Sequence, residues 1–405
     1  MRTRGCEPWR EGPHFAGGVE DEVSDARDAV RCVGLGRLRN RWSVRQRCRG
    51  NGQAQAYASS PHHGVERPVG SLGDAPLLSI GTVQDDGITL YQVRGGILAA
   101  DDLIIVANGG SHEILYMDGH GEIVRRVGRR GDGPGEFRSI DWLQARGDGG
   151  IHVGDARTHR VSAFTAAGEL MWTRSHDPPP EPPGDPNALM ARGIVLHATD
   201  HGEMLAFPLA VGVLDGEPGP LPLVGELRLF TADQASYSDL GRITVITWYE
   251  DPTAGSIPLG NMLGGTRLEY SGHSGRMAYT EGTSFRIDVL DGGARTMRIL
   301  EARARVSFEP DSVPEGVVHV ADSIPAYQGV KVDSEHRIWA RAAVDRARTA
   351  TEWRVFGADG RSVGALVIPE RAEVLDATRD RLLLLTRDEL DVESIELWEL
   401  RLPGV

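Results

Sequence analysis

The chain of 405 residues has a formal net charge of −14, with 40% apolar and 25% charged residues, the balance of a globular protein with enough material for a core. The charge is split: residues 1–75 hold 12 Arg against 9 acidic residues, whereas residues 76–405 hold 32 basic against 49 acidic ones. An acidic body speaks against nucleic acid as the main partner, because phosphate binding needs a basic footprint, and no run of 18 apolar residues predicts a membrane-spanning helix.

Residues 1–75 are rich in Arg, Gly, Ser and His, with eight Arg and one Asp between 26 and 50. Three readings stay open for them: a basic arm for an acidic partner, a disordered extension too poor in apolar residues to fold alone, and a misassigned translation start. The three cysteines, Cys6, Cys32 and Cys48, all lie here at no zinc-like spacing, which leaves the body without a disulfide or a cysteine metal site. The opening MRTRGCEPWREGPHF lacks the apolar stretch of an export signal. Of 44 basic residues only Lys331 is a lysine, which reads as the coding bias of a GC-rich genome.

A repeat then begins. LIIVANGGSHEILYMDGHGEIVRRVG (103–128) aligns without a gap on GIHVGDARTHRVSAFTAAGELMWTRS (150–175) at an offset of 47. Each gives an apolar strand, a polar turn, an alternating strand, a glycine turn and a third strand. A degraded copy falls between 187 and 232, and further copies cover 276–300, 337–368 and 381–402, making six units. Turn chemistry recurs at Asp118-Gly119, Ala167-Gly168, Asp291-Gly292 and Asp359-Gly360. Asp155 and Arg160, like Glu281 and Arg286, are five apart, the spacing of an ion-pair clasp across a hairpin; Asn108 and Glu113 break that pair in the first unit. Small twisted sheets stacked face to face would explain strands that are apolar at their centres.

Gly128-Arg129-Arg130-Gly131-Asp132-Gly133-Pro134-Gly135-Glu136-Phe137, followed by Gly154-Asp155 and Arg160-Val161-Ser162-Ala163-Phe164, resembles the NHL-repeat propellers, and within them bacterial six-bladed proteins with a G-x-G-P-G-E-F connector. Thr386-Arg387-Asp388-Glu389-Leu390-Asp391-Val392-Glu393 is similar to the ending of that group. The resemblance covers about 76–405 and is weakest at 187–260. It implies an all-β, six-bladed β-propeller of four-stranded antiparallel blades, closed by an N-terminal strand at Pro76–Gly81 within 76–82, so that the ring has no free edge. It also implies a bacterial, periplasmic or secreted protein, although no signal is readable here.

Two insertions interrupt the units: the polyproline stretch Asp177–Gly184, a connector or a ligand for another protein, and 303–325 with Pro310, Pro314 and Pro325. Propellers of this kind include metal-dependent lactonases, lyases and plain binding scaffolds, so the fold does not choose a chemistry. The repeat register places Arg94, Asp141, Arg192, Arg267, Gln328 and Glu373 within two residues of corresponding inner-strand positions at the channel mouth. Three arginines among two carboxylates repel a divalent cation. They suit a small anion such as a carboxylate or phosphate, or they pair with one another around a water-filled channel. His197 and His201 lack the glutamate of a zinc-protease helix, and His152 and His159 suit core or turn duty. No nucleophile elbow, Walker loop or dinucleotide fingerprint stands in its strand-to-helix context. The expectation is a monomeric, non-catalytic binding or interaction propeller without a cofactor, its partner a small anion or a protein; the alternative is a hydrolase or lyase acting at the channel mouth.

Overall fold

A strand covered on both faces is apolar along most of its length, and Ile104–Asn108 and Ile151–Asp155 are buried at every residue, with Asn108, His152 and Asp155 their polar members. The computed structural model describes residues 55–59, 69–81, 88–100, 102–176, 188–213, 219–250, 257–258, 267–271, 275–281, 284–301, 326–342, 350–369 and 371–403. These residues contain no helix and form six sheets, one for each repeat unit. The six-bladed propeller read from the repeat is the fold of the chain.

Blade 1 comprises Val93–Leu98, Ile104–Asn108, Glu113–Met117 and Ile123–Val127. Blade 2 comprises Trp142–Ala145, Ile151–Asp155, Arg160–Phe164 and Leu170–Ser175. Blade 3 has longer strands, Ala188–Ala198, Met204–Val213, Gly219–Phe230 and Tyr237–Glu250, with Ile257–Pro258 at its edge. Blade 4 runs through Arg267–Ser271, Arg276–Thr280, Arg286–Asp291 and Ala294–Glu301. Blade 5 runs through Tyr327–Val332, Ile338–Ala342, Ala350–Phe356 and Ser362–Pro369. Blade 6 supplies Ala372–Ala377, Arg381–Arg387 and Glu393–Arg401, and its fourth strand comes from the other end of the chain.

That fourth strand is Leu78–Ile80, antiparallel to the last strand with Leu78 opposite Leu397 and Ile80 opposite Ile395. It is the closing strand expected at Pro76–Gly81. The pairing extends upstream: Ser71 and Leu72 face Arg401 and Leu400, and Val69 bridges to Ala365 on blade 5. Further upstream still, Gln55–Ser59 lies parallel to the outer strand of blade 4. The cysteines, the polyproline stretch at 177–184 and the insertion at 303–325 lie outside the described residues.

The core is divided among the seams between blades. Leu115, Leu383 and Ile80 pack together between blades 6 and 1, and Ile105, Tyr116 and Val153 between blades 1 and 2. Val161 and Met204 fill the next seam, then Leu227 and Met277, then Ile287 and Ile338, and then Trp339 and Leu382 between blades 5 and 6. Apolar burial therefore runs unbroken round the ring, each seam held as a protein interior is held.

The glycine-rich connector between blades 1 and 2 is a closed structural loop. Glu136 folds back so that its Oε2 accepts the Gly133 N–H at 2.8 Å and its Oε1 pairs with Arg129. A Cβ on Gly131 would fall 2.0 Å from Glu136 Oε2, and Gly128 holds φ at +89° directly over the Phe137 ring, so neither position accepts a side chain without movement. Phe137 is 1% exposed and anchors the loop in the seam between blades 1 and 2. Replacing Phe137 with alanine is expected to cost about 3–5 kcal/mol of stability, read from the denaturant midpoint.

The hairpin clasps differ from the sequence expectation in one case. Arg286 reaches Glu281 at 2.8 Å. Asp155 and Arg160 are opposite each other but do not pair: Asp155 accepts the N–H groups of Thr158 and Arg138, and Arg160 donates to the Asp132 carbonyl. The carboxylate is used for the turn and for the strand-entry segment, a duty that Asn108 performs in blade 1 by accepting the Tyr91 N–H at 2.9 Å.

Candidate functional site

The first strand of each blade is innermost. Those of blades 6, 1 and 2 lie against one another in turn, as do those of blades 4 and 5. Their walls enclose a narrow cavity of about 40 Å³, lined by backbone at Gly95 and Gly96 and by Gln144, Glu269, Ser271, Lys331, Ser334 and Asp376. That volume holds a few water molecules.

The only lysine of the chain stands in this wall. Lys331 Nζ lies 3.6 Å from Glu269 Oε1. Burial opposes the charge on Lys331, but Glu269, Glu373 and Asp376 together hold its pKa above the ordinary lysine value. Burial also raises the carboxyl of Glu269, against the pull of Lys331. Both side chains are about a quarter exposed, and both line this cavity. Asp376 spans the seam between blades 6 and 1: its Oδ2 accepts the Leu98 N–H at 2.9 Å, and its Oδ1 accepts the Ala377 N–H. Burial pushes Asp376 up to about 7, with Asp333 adding to the rise and the two N–H groups opposing it.

An acid whose folded pKa lies above its unfolded value stabilises the fold most when protonated, and that contribution disappears as pH rises through the folded value. For Asp376 the window runs from about pH 4 to about 7. Stability is expected to fall by about 2–4 kcal/mol across it, and Asp376→Asn is expected to flatten that part of the profile. Thermal melts of both proteins from pH 4 to 8 measure the difference; parallel profiles would remove Asp376 as the cause.

Two histidines are buried in blades 2 and 3, apart from the residues that line the cavity. His152 is fully buried with its Nε2 2.9 Å from Arg146 Nη1 and its ring against Trp172. Burial, then the Arg146 charge, pushes its pKa down to about 3. His197 faces Gln144 at 3.3 Å and stacks near Trp142, and burial followed by Lys331 brings it down to about 3. Both are neutral structural groups at ordinary pH. His201 is exposed in the turn beyond. Trp142 lies flat on Gly154, where a Cβ would fall 2.0 Å from the indole, and its N–H ties blade 2 to the Val195 carbonyl of blade 3.

Of the six residues expected at the mouth, Arg94, Asp141, Arg267, Gln328 and Glu373 fall at or just before the beginning of their inner strands, and Arg192 falls in the middle of its strand. Arg94 is exposed and packs over Gly109 of its own blade. Asp141 accepts the Ala156 N–H at 2.6 Å, again within its blade. Arg267 donates to the Gln328 carbonyl at 3.3 Å, so these two come together, and burial lowers the pKa of Arg267. Glu373 is exposed and close enough to act on Lys331. The side chain of Arg192 lies outside the described residues. The polar residues missed were Glu269, Lys331, Asp376 and Gln144, further along the same strands. The signal that could have found them is Lys331 itself, the one ammonium in a chain that otherwise uses arginine. Among the described residues no group of three or more His, Cys, Asp or Glu is placed to hold a metal ion.

No protein-family model and no curated protein matches the chain. Solved structures similar to it include a member of the DUF4221 family from Bacteroides vulgatus, at 11% identity, covering 84% of this chain and 100% of that one with a TM-score of 0.49. A regucalcin, described as a calcium-binding protein, from Agrobacterium tumefaciens has 14% identity, coverage of 84% and 97%, and a TM-score of 0.39. Virginiamycin B lyase from Staphylococcus aureus has 9% identity, coverage of 82% and 99%, and a TM-score of 0.40. At these values none of them bears on the chemistry of this channel.

Proposed function

We propose that the chain is a non-catalytic binding or interaction propeller of the NHL-repeat-like kind, acting through the face at the channel mouth. One observation carries this reading: the polar groups of the channel are spent on one another, as Lys331 with Glu269 and Asp376 with two backbone N–H groups, around a space sized for water. A substrate would have to displace those pairs. Arg94, Asp141 and Glu373 are exposed to solvent, and Arg267 of blade 4 donates to the Gln328 carbonyl of blade 5. Arg94 and Arg267 are the groups suited to a small anion or to a carboxylate on a protein partner.

Calorimetry with acetate and inorganic phosphate, run beside a lactone and ester turnover screen and metal analysis of the purified protein, tests the reading. The expected result is anion binding that weakens by about tenfold in Arg94→Ala/Arg267→Ala, with no turnover. Turnover dependent on stoichiometric calcium or zinc would replace it with a hydrolase or lyase at the mouth. The extracytoplasmic location implied by the family resemblance belongs to the same reading, and fractionation of cells expressing the native protein tests it. Among the described residues no helix is long and apolar enough to cross a membrane.

A further inference from the structure

Blade 5 carries two buried donors that no acceptor meets. Arg341 Nε and Trp353 Nε1 are both shut off from solvent, and neither has a hydrogen-bond partner among the described residues. Trp353 as a whole is 2% exposed. An arginine Nε and an indole N–H can only donate, and a buried polar group left unmet is rare enough to call for a reason.

The two donors belong to one row across the blade. Gly329 on the inner strand is opposite Arg341, and Arg341 is opposite Trp353. Directly opposed residues project from the same face of a sheet, and this face packs on blade 6, where Trp353 joins Trp339 and Leu382. Gly329 leaves its own place in the row empty. A Cβ there would stand 3.4 Å from Arg341 Cβ, 3.9 Å from Arg341 Cδ and 3.7 Å from Trp353 Cη2, so the position adjoins both side chains and clashes with neither. It follows Gln328, whose carbonyl Arg267 reaches, at the register shift of the inner strand.

The same blade shows which acceptor suits such a pair of donors. Asp333 Oδ2 takes Arg337 Nε at 2.6 Å and Trp339 Nε1 at 2.7 Å, so one carboxylate satisfies an arginine Nε and an indole N–H together. Arg341 and Trp353 repeat that donor set without the carboxylate.

We propose that Arg341, Trp353 and the open position at Gly329 form a seat for a small monocarboxylate between blades 5 and 6. The bound carboxylate would accept Arg341 Nε–H and Trp353 Nε1–H as Asp333 accepts their counterparts. One guanidinium balances one negative charge. Two residues along the inner strand, Lys331 is already surrounded by Glu269, Glu373 and Asp376, which disfavours a doubly charged phosphate. The seat refines the anion reading of the mouth, and it rests on that reading only for the side from which the ligand enters.

The indole N–H resonance of Trp353 in the full chain, assigned by its loss in Trp353→Phe, tests this. Sodium formate or acetate is expected to move it saturably, and sodium chloride at equal ionic strength is expected to leave it in place. Arg341→Met is expected to weaken the response by about tenfold or more, and Arg341→Lys, which keeps the charge but not the Nε donor, is expected to fall between. A resonance that stays still, moves equally with chloride, prefers inorganic phosphate, or responds as strongly in both Arg341 variants would overturn the inference. The mouth reading is judged separately, by anion calorimetry on Arg94→Ala/Arg267→Ala. Weakened binding there with a silent Trp353 removes this seat and leaves the mouth arginines; a responsive Trp353 with unchanged calorimetry supports the seat and removes them.

Discussion

Asp333→Ala is expected to remove about 4 kcal/mol of stability and to lower the thermal midpoint by about 10 °C. The carboxylate is 3% exposed and accepts four hydrogen bonds. Its Oδ1 takes the N–H groups of Glu335 and Arg337, and its Oδ2 takes Arg337 Nε at 2.6 Å and Trp339 Nε1 at 2.7 Å. Burial raises its pKa, with Arg337 opposing, so the pair adds little net energy while intact. Removing one member is different. Arg337, 4% exposed, would keep a buried charge with the Thr378 carbonyl and the Trp339 ring facing it but no carboxylate, and the indole N–H of Trp339, a side chain with no exposed surface, would lose its acceptor. Asp333→Asn keeps the shape and part of the acceptance and is expected to lose about half as much. Urea unfolding followed by tryptophan fluorescence reads both. A loss below about 1 kcal/mol for the alanine variant would show that blade 5 does not depend on this network.

Lys331→Met is the second large effect, expected at about 2–4 kcal/mol at neutral pH. The substitution leaves Glu269, Glu373 and Asp376 facing one another around the channel without their cation. The penalty grows with pH, because protonation of these carboxyls relieves it. Lys331→Met/Glu269→Gln removes charge of both signs and is expected to recover most of the loss, the coupling appearing in a double-mutant cycle. Additive losses would mean that the two side chains do not interact in solution, and the self-paired channel on which the proposed function rests would be lost with them.

The fold was legible where hairpins are tight and strands short. Blades 1 and 2 share one spacing because both turn through four residues between second and third strands, at Gly109–His112 and Ala156–His159. Blade 3 was blurred because its strands run to 10–14 residues, well beyond the repeat. The lining of the cavity was hidden for a different reason. The inner strands of blades 1, 3, 5 and 6 shift register, at Val93/Gly95, Val195/His197, Tyr327/Gly329 and Val374/Asp376. A bulge turns every later side chain to the opposite face, and alternation in a sequence cannot reveal where one occurs. The repeat register led to Gln328 and Glu373, whereas the residues lining the cavity in those two blades, Lys331 and Asp376, come after the bulges; Gln144 and Glu269 lie on inner strands that carry no shift.

The route by which blade 6 is completed also constrains how the protein is made. The Val93 N–H donates to Glu393 across 300 residues of sequence, next to the seam that Ile80 and Ile395 share. During synthesis, the apolar side of blade 1 that belongs in that seam has to wait for nearly the entire chain to emerge. The nascent protein is an open arc with one unprotected flank, and the last contacts to form are those most distant along the chain.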